Sequence, residues 1–376
     1  VEAVVVSPGV PIQHPVFRMG RPVLSEVELA GRLTTAPMVA VTGTNGKTTV
    51  TTLVARMLEA SGRQALAAGN IGLPLLDAVS LPAEVLVVEV SSFQLALTEQ
   101  FRPHVAVWLN LAPDHLDWHP SFEHYAAAKA KIFANQGPGD VAIANAEDPA
   151  VLAAATSAAG RLVTFGLDAG DFRMRGEQLV APGGETIIGS RDLPRSLPHD
   201  RANALAAAAA ALSAGADIGA CRSVLACFEG LPHRVQLVGE AGGIRFYDDS
   251  KATTPASVLA ALSGFESVVL IAGGRNKGLD LSALGDGRGR LRAVVAMGEA
   301  ADEISAAFAG RPAVPVIRAS SMADAVQAAA GAAEQGDAVL LSPGCTSFDW
   351  YGSYAERGED FTRLVKELAG TGGGVG

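Results

Sequence analysis

The chain has 376 residues, 49% of them hydrophobic and 18% charged, with a net charge of −10 at pH 7. That length suits about two or three domains with sizeable cores, and the acidic balance leaves no basic face to neutralise a run of phosphates, which excludes a nucleic-acid motor or binder. Its three cysteines, Cys221, Cys227 and Cys345, are odd in number and follow no metal-ligand spacing, as expected of a reducing, cytoplasmic setting and not of a disulfide framework.

In chain order, "VEAVVVSPG" opens as an apolar strand ended by Pro8-Gly9. With Glu2 inside it and no basic leader it reads as a buried strand and not as a signal peptide, and no apolar run reaches the length of a membrane span. Without an initiator Met, and starting inside a strand, the chain is expected to lack preceding sequence. Next, "MVAVTGTNGKTTVTTLVARML" (Met38 to Leu58) reads as a strand, a glycine turn and a helix. Gly43 and Gly46 let backbone N–H groups approach phosphate oxygens, Lys47 supplies charge and Thr48 a metal ligand, so residues 43–49 form a candidate phosphate loop. It is a shortened loop, because the full Walker pattern wants glycine where Val41 stands.

The runs "EVLVVEVSS", "HVAVWLNLA" and "DVAIANAED" alternate with helical patterns, which predicts a parallel sheet with helices on both faces. Glu89 lies inside an apolar run, where an unpaired charge is costly; a magnesium ligand is favoured over a buried ion-pair partner. "LNLAPDHLDWH" gathers Asn110, Asp114, His115, Asp117 and His119 after a strand, consistent with a second metal or substrate site or with a polar loop. Lys129 and Lys131, in "YAAAKAKIF", read by themselves as a solvated lysine face. Residues 173–192 predict a β-hairpin. The run Ala204 to Ala211 predicts a packed helix with Leu205 and Leu212 on one face, and a domain boundary falls at Leu231-Pro232.

Beyond it, "GIRFYDDSKA", "SVVLIAGGRNKG", "LRAVVAMGE", "AVPVIRA" and "GDAVLLSPG" predict a second open sheet. Strand-end loops there carry Asp248, Asp249, Ser250, Lys251, Thr253, Thr254, Arg275, Lys277, Ser347, Phe348 and Tyr354. In a chain with a phosphate loop, such loops on one sheet edge predict a site closed between two domains.

Taken in order, "GTNGKTT", "GNIG", "VEVSSFQL", "LNLAPDHLDWH", "AAAKAKIF", "HDRANALAA", "LPHRVQLVGE", "DDSKATTP" and "LLSPGCTSFDWYGSYAERGEDF" resemble the Mur ligases over nearly the whole chain. The resemblance implies an α/β fold of three-domain Mur ligase architecture. Residues 1–32 would be a truncated remnant of an N-terminal Rossmann-like UDP-binding domain, 33–231 a central ATP-binding domain on a P-loop ATPase-type parallel sheet, and 232–376 a C-terminal Rossmann-like domain that binds the amino acid. It also implies a cytoplasmic, monomeric enzyme that uses ATP and two magnesium ions to add D-glutamate to UDP-N-acetylmuramoyl-L-alanine through an acyl phosphate, for peptidoglycan synthesis.

By the same resemblance, Gly43, Thr44, Asn45, Gly46, Lys47, Thr48 and Thr49 would hold the nucleotide phosphates. Thr48 and Glu89 would bind one magnesium, and His115 with a carbamylated Lys129 a second. Lys47, His115 and Lys129 would be catalytic. Ser7, Asn70 and Ser91 would contact the muramoyl-alanine substrate. Asn203 would lie near adenine, Arg234 at the phosphates and Asp249 at the ribose; Asp200 stands where the family usually has a second asparagine. Lys251 and Thr253 would line the site, and Lys277, Ser347, Phe348 and Tyr354 would recognise the incoming glutamate, with Arg275 where relatives often carry an acid.

Alternatives are a sibling that adds another amino acid such as L-glutamate, a folylpolyglutamate synthase, a P-loop kinase, and a non-catalytic nucleotide-binding homologue. "SSFQL" and Ser7-Pro8-Gly9 speak against the folate enzyme. A kinase has no need of the second sheet's loops, and a retired scaffold would be expected to lose Lys47, Glu89, His115 or Lys129.

Overall fold

Runs of Val, Ala, Leu and Ile without polar alternation become strands buried on both faces. In the computed structural model, which describes residues 2–309 and 314–371, such runs build two sheets in two units, Val1–Glu229 and Gly230–Gly376.

The first unit begins with β1 (Val4–Val6), β2 (Val23–Ser25) and α1 (Glu26–Leu33). β1 pairs in parallel with β2, Val4 opposite Val23. Between them lies only a short 3-10 turn, Pro15–Arg18. The buried Glu28 of α1 accepts the N–H groups of Glu99, Gln100 and Phe101 at 2.9–3.1 Å and so fixes this piece to the rest of the unit.

There follow β3 (Met38–Thr42), α2 (Lys47–Ala60), β4 (Ala65–Gly69), α3 (Leu75–Ala78), β5 (Val85–Glu89), α4 (Ser92–Ala96), β6 (Val105–Trp108), α5 (Phe122–Ala130), β7 (Val141–Asn145), α6 (Pro149–Thr156) and β8 (Arg161–Phe165). The sheet order is β4-β5-β3-β6-β7-β8, all parallel. β3 therefore sits between β5 and β6, and the loop after it opens at the carboxyl ends of three buried strands, where open α/β sheets place their ligands.

The predicted hairpin at residues 173–192 is a three-stranded antiparallel sheet: β9 (Arg173–Arg175), β10 (Gln178–Val180) and β11 (Thr186–Gly189). The alanine run lies in α7 (Pro198–Ser213), followed by α8 (Ile218–Cys227). The run is the packed helix its pattern predicts, and burial extends beyond the face of the two leucines: Ala204 to Ala211 are all buried while Leu212 is only partly so. Methyl side chains let α7 approach α2 and strands β6, β7 and β8 closely enough to be enclosed on every side.

The second unit contains β12 (Gln236–Ala241), β13 (Ile244–Asp248), α9 (Pro255–Leu262), β14 (Val268–Gly273), β15 (Leu291–Met297), α10 (Ala301–Ala307), β16 (Val316–Ala319), α11 (Met322–Ala332), β17 (Ala338–Gly344) and α12 (Tyr354–Thr371). Its order is β12-β13-β17-β14-β15-β16, parallel except for the edge pair β12–β13. Of the "AVPVIRA" stretch, Ala313 lies outside the described residues. Among the described residues no helix is long and apolar enough to cross a membrane.

Candidate active site

The loop between β3 and α2 must turn sharply, and Gly46 is where it does so. Its φ is +85°, and a Cβ there would lie 2.5 Å from Asn203 Oδ1, so only glycine fits. As the cap of α2 it offers no side-chain hydrogen bond, and the first-turn N–H groups of the helix are presented to the loop. Lys47 folds back, its Nζ donating to Gly43 O and Thr44 O at 2.9 Å each. Thr48 and Thr49 are half-buried in the same turn.

Asn110, just past β6, zips the loop down. Its Oδ1 accepts Asn45 N at 2.8 Å, its Nδ2 donates to Asn45 O at 3.1 Å, and its carbonyl accepts Thr44 N at 3.1 Å. Thr44 Oγ1 accepts Ala112 N and lies 3.0 Å from Tyr125 OH. The candidate phosphate loop is thereby held against the 110–119 loop and α5.

Glu89 ends β5 opposite Val41. Its Oε1 accepts Asn70 Nδ2 at 2.8 Å; its Oε2 is buried with no hydrogen-bond partner. An unmatched buried acceptor costs about 1–3 kcal/mol, more if charged, so the fold retains here an oxygen with spare capacity for a cation. Gly69 permits the approach of β4: a Cβ on it, at φ +99°, would lie 2.4 Å from Glu89 O.

Lys129 corrects the solvated-face expectation. It is 1% exposed, donates to Gly43 O at 2.8 Å, and has its ammonium 4.7 Å from the Tyr125 ring centre. Burial, then the neighbouring Lys47, hold its pKa well below the ordinary lysine value against the pull of Asp114 and Glu89. Lys131 is likewise not a free surface group: it donates to Ala96 O and Thr98 O at 2.7 and 3.1 Å.

His115 has a positive φ of 56°. Buried Asp114 holds it, accepting its N–H at 2.8 Å through Oδ1 and lying 3.3 Å from Nε2 through Oδ2. Asp117 is exposed, whereas His119 is buried. Ser91 caps α4 in a reciprocal box with Gln94. Ser7 is exposed, but its turn is tied to the His115 loop by a 3.0 Å bond from Trp118 Nε1 to Val10 O. Asn203 lies against Gly46, at the phosphate loop itself. Asp200 pairs with Arg195 at 2.6 Å and accepts Leu197 N at the start of α7.

In the second unit, Arg234 stands between two residues with left-handed backbone, His233 (φ 59°) and Val235 (φ 48°). For β-branched valine that conformation is strained by about 1–2 kcal/mol. Adjacent carboxylates secure both: Asp248 Oδ2 lies 2.6 Å from His233 Nδ1, and Asp249 Oδ1 accepts Val235 N at 3.2 Å. Asp249 Oδ2 accepts Ser342 Oγ at 2.7 Å, and burial pushes its carboxyl up to about 7.

Lys251 places its ammonium 3.7 Å from the Tyr354 ring centre, and Thr253 is half-buried ahead of α9. Arg275 and Thr346 exchange backbone hydrogen bonds at 3.0 Å, which ties the Lys277 loop to the loop of buried Ser347 and exposed Phe348. Arg275 itself pairs with Glu299 through two 2.8 Å bonds, so its charge is engaged inside the unit.

Sequence reasoning gave no role to Tyr125, Ser342 or Arg357. The last is fully buried and donates to Ser250 O and Oγ and to Cys345 O, clamping the two loops that carry Lys251 and Ser347. An arginine inside the closing glycine-rich motif was its one sequence signal.

The Mur ligase middle domain family matches residues 41–211, and the Mur ligase, glutamate ligase domain family matches residues 233–345. The chain is 47% identical to a UDP-N-acetylmuramoylalanine–D-glutamate ligase of Frankia casuarinae, across 98% of this chain and 81% of that one. It is 46% identical to the protein of that name from Desulfosudis oleivorans, across 97% and 82%. Among solved structures, the fold resembles MurF of Thermotoga maritima in complex with ADP (TM-score 0.69, 18% identity, 98% of this chain and 94% of that one). It also resembles MurC of Thermotoga maritima (TM-score 0.68, 20% identity, 97% and 85%). By sequence and by fold, this chain belongs to the Mur ligase family.

Proposed function

We propose that the chain is an ATP-dependent ligase that joins D-glutamate to UDP-N-acetylmuramoyl-L-alanine in peptidoglycan precursor synthesis, acting as a cytoplasmic monomer. The observation that carries this reading is the gathering of Lys47, Glu89, Asp114 and Lys129 around one phosphate loop.

A carboxylate is a poor electrophile until one of its oxygens becomes a phosphate leaving group. Its oxygen attacks the γ-phosphorus of ATP, the bond to the β-phosphate oxygen breaks, and ADP leaves. The amine of D-glutamate then attacks the acyl carbon, phosphate departs with its oxygen, and the nitrogen loses a proton to give the amide. Lys47, pinned by Gly43 O and Thr44 O, stands ready for the charge that gathers during phosphoryl transfer. Asn70, bonded to Glu89, is poised to orient the reacting carboxylate. Lys277 is suited to the side-chain carboxylate of glutamate, and Ser347, Phe348 and Tyr354 would complete its recognition.

The residues present fit magnesium. Among the described residues no three His, Cys, Asp or Glu side chains form a ready metal cage. Magnesium, however, keeps waters and substrate phosphates in its shell and needs only one or two carboxylates; Glu89 Oε2 is such an oxygen. Thr48, Glu89, His115 and a carbamylated Lys129 would hold two ions, which when bound offset charge on the phosphoryl oxygens. Carbamylation joins the lysine nitrogen to the carbon of CO2 with loss of a proton. The burial of Lys129 and its nearness to Lys47, which favour the neutral amine, support it.

The test is ATP-dependent phosphate release with UDP-N-acetylmuramoyl-L-alanine, comparing D-glutamate, L-glutamate and other amino acids, with mass detection of the amide. Product with D-glutamate is expected. Product only with another amino acid overturns the specificity, and none at all overturns the ligase reading.

A further inference from the structure

His119 sits where three site-bearing elements meet. Its Nε2 lies 2.9 Å from Ser92 Oγ, in the first turn of α4, next to the cap residue Ser91. Its Nδ1 lies 2.9 Å from Nδ1 of His124, on α5, the helix of Tyr125 and Lys129. Its own backbone N–H donates to His115 O at 2.9 Å. The Phe93 ring stacks on His119 (centroids 5.7 Å apart, planes 7° apart) and on its other contacts meets His115 at 4.6 Å and Trp118 at 5.1 Å. His119 is 1% exposed and Ser92 2% exposed, so the polar atoms of both need internal partners.

We infer that His119 is a positioning residue: through Ser92 and Phe93 it sets the orientation of Ser91 and of the His115 ring, and through His124 it locks that pair to the helix that carries Lys129. A bland reading, in which the imidazole merely fills the core, leaves the arrangement unexplained. A core filler needs neither two ring hydrogen bonds to different helices nor a stacked aromatic that touches the proposed magnesium ligand. With Ser92 Oγ at Nε2 and His124 Nδ1 at Nδ1, both ring nitrogens are engaged inside the protein, which fixes the plane of the ring. Its role is to transmit geometry through these contacts. Partners of this kind, acting behind a metal-ligating histidine, typically change activity or metal affinity by about 10–100-fold when lost.

The experiment uses the full chain and two variants. His119→Phe keeps an aromatic ring against Phe93 and deletes both ring hydrogen bonds; Ser92→Ala deletes one of them from the other side. Two readouts are taken: the ring resonance of His115 in histidine-labelled protein, assigned with a His115→Gln sample, and steady-state ligation kinetics. The His115 resonance should shift in both variants. The kcat should fall by about 10–100-fold and KM for the muramoyl-alanine substrate should rise, while KM for ATP, held by the Lys47 loop, stays unchanged. The double variant should be no worse than the poorer single one.

An unmoved His115 resonance in both variants overturns the inference. So does a loss of activity that merely follows the folded fraction measured by circular dichroism, with both KM values unchanged. The kinetic arm rests on the ligase reading and the resonance arm does not, so wild-type protein that forms no amide would refute the reaction and leave the resonance to judge His119.

Discussion

Asn70 donates to one oxygen of Glu89 at 2.8 Å while the other oxygen of that carboxylate is buried without a partner. One half of the side chain is thus fixed and the other half is reserved. Glu89→Gln preserves the shape and an acceptor for Asn70 and removes the acid. Ligation should fall by about 100- to 1,000-fold, the scale for losing one preorganised electrostatic contact. The extra thermal stabilisation that magnesium gives over ADP alone should also vanish, while the unliganded variant melts at or above the wild-type temperature because an unmatched buried acid has gone. Undiminished stabilisation by magnesium in the variant would remove Glu89 from the metal shell.

Lys47→Ala should abolish turnover. The ammonium bridges Gly43 O and Thr44 O and so clamps the loop, and in the proposed reaction it would also be the charge offered to the nucleotide. Single-turnover phosphate release measures it, and a rate within about tenfold of wild type would contradict a transition-state role. Lys47→Arg should not rescue it, since a planar fork cannot occupy the position of a compact ammonium held by two carbonyls.

These residues differ in how plainly the sequence announces them. Gly46 and Lys47 were legible because the turn needs glycine and the anion needs a cation at fixed spacing, and the Val-rich strands were legible from composition alone. β4 was not: "ALAAG" has weak strand propensity and becomes a strand because β5 offers it a parallel edge, Ala65 opposite Val85. β8, with its first two residues exposed, is likewise defined by its neighbour β7, and β2 is three residues long. Lys129 was read from its helix as solvated, because nothing local tells that its face lies over the phosphate loop; the family resemblance, not the spacing, singled it out. His119 and Ser92 lie in quoted motifs 27 positions apart, and only the sheet order brings them within hydrogen-bonding distance.

Lys129→Ala should lower ligation strongly, and small carboxylates such as acetate or propionate added to the assay should restore part of it by supplying the anion that a carbamate would carry. The cavity left beside Tyr125 is enclosed and lined by Gly43 O and Thr42 Oγ1, so rescue should decline as the added acid grows bulkier. Equal insensitivity of the variant to every acid, together with wild-type activity that does not respond to removal of dissolved CO2, would refute the carbamate.

Asp249 supplies a test by pH. Burial pushes its carboxyl from the ordinary 3.8 up to about 7, against the donors Ser342 Oγ and Val235 N and the nearby Arg234. Across that window the folded chain retains a proton that the unfolded chain has already released. The folded state therefore binds more protons, and this group's contribution to stability falls as pH rises from about 4 to about 7, then levels off. Each pH unit of full difference is worth about 1.4 kcal/mol, so the whole change is on the order of a few kcal/mol. Asp249→Asn cannot titrate and lacks that slope. In urea unfolding at about pH 4.5 and pH 7.5, the stability of the variant relative to wild type should improve at the higher pH, whatever its absolute value. A pH-independent difference would mean that Asp249 ionises at its ordinary pH within the fold, and that the hydrogen bonds holding the Arg234 turn are made by a carboxylate throughout.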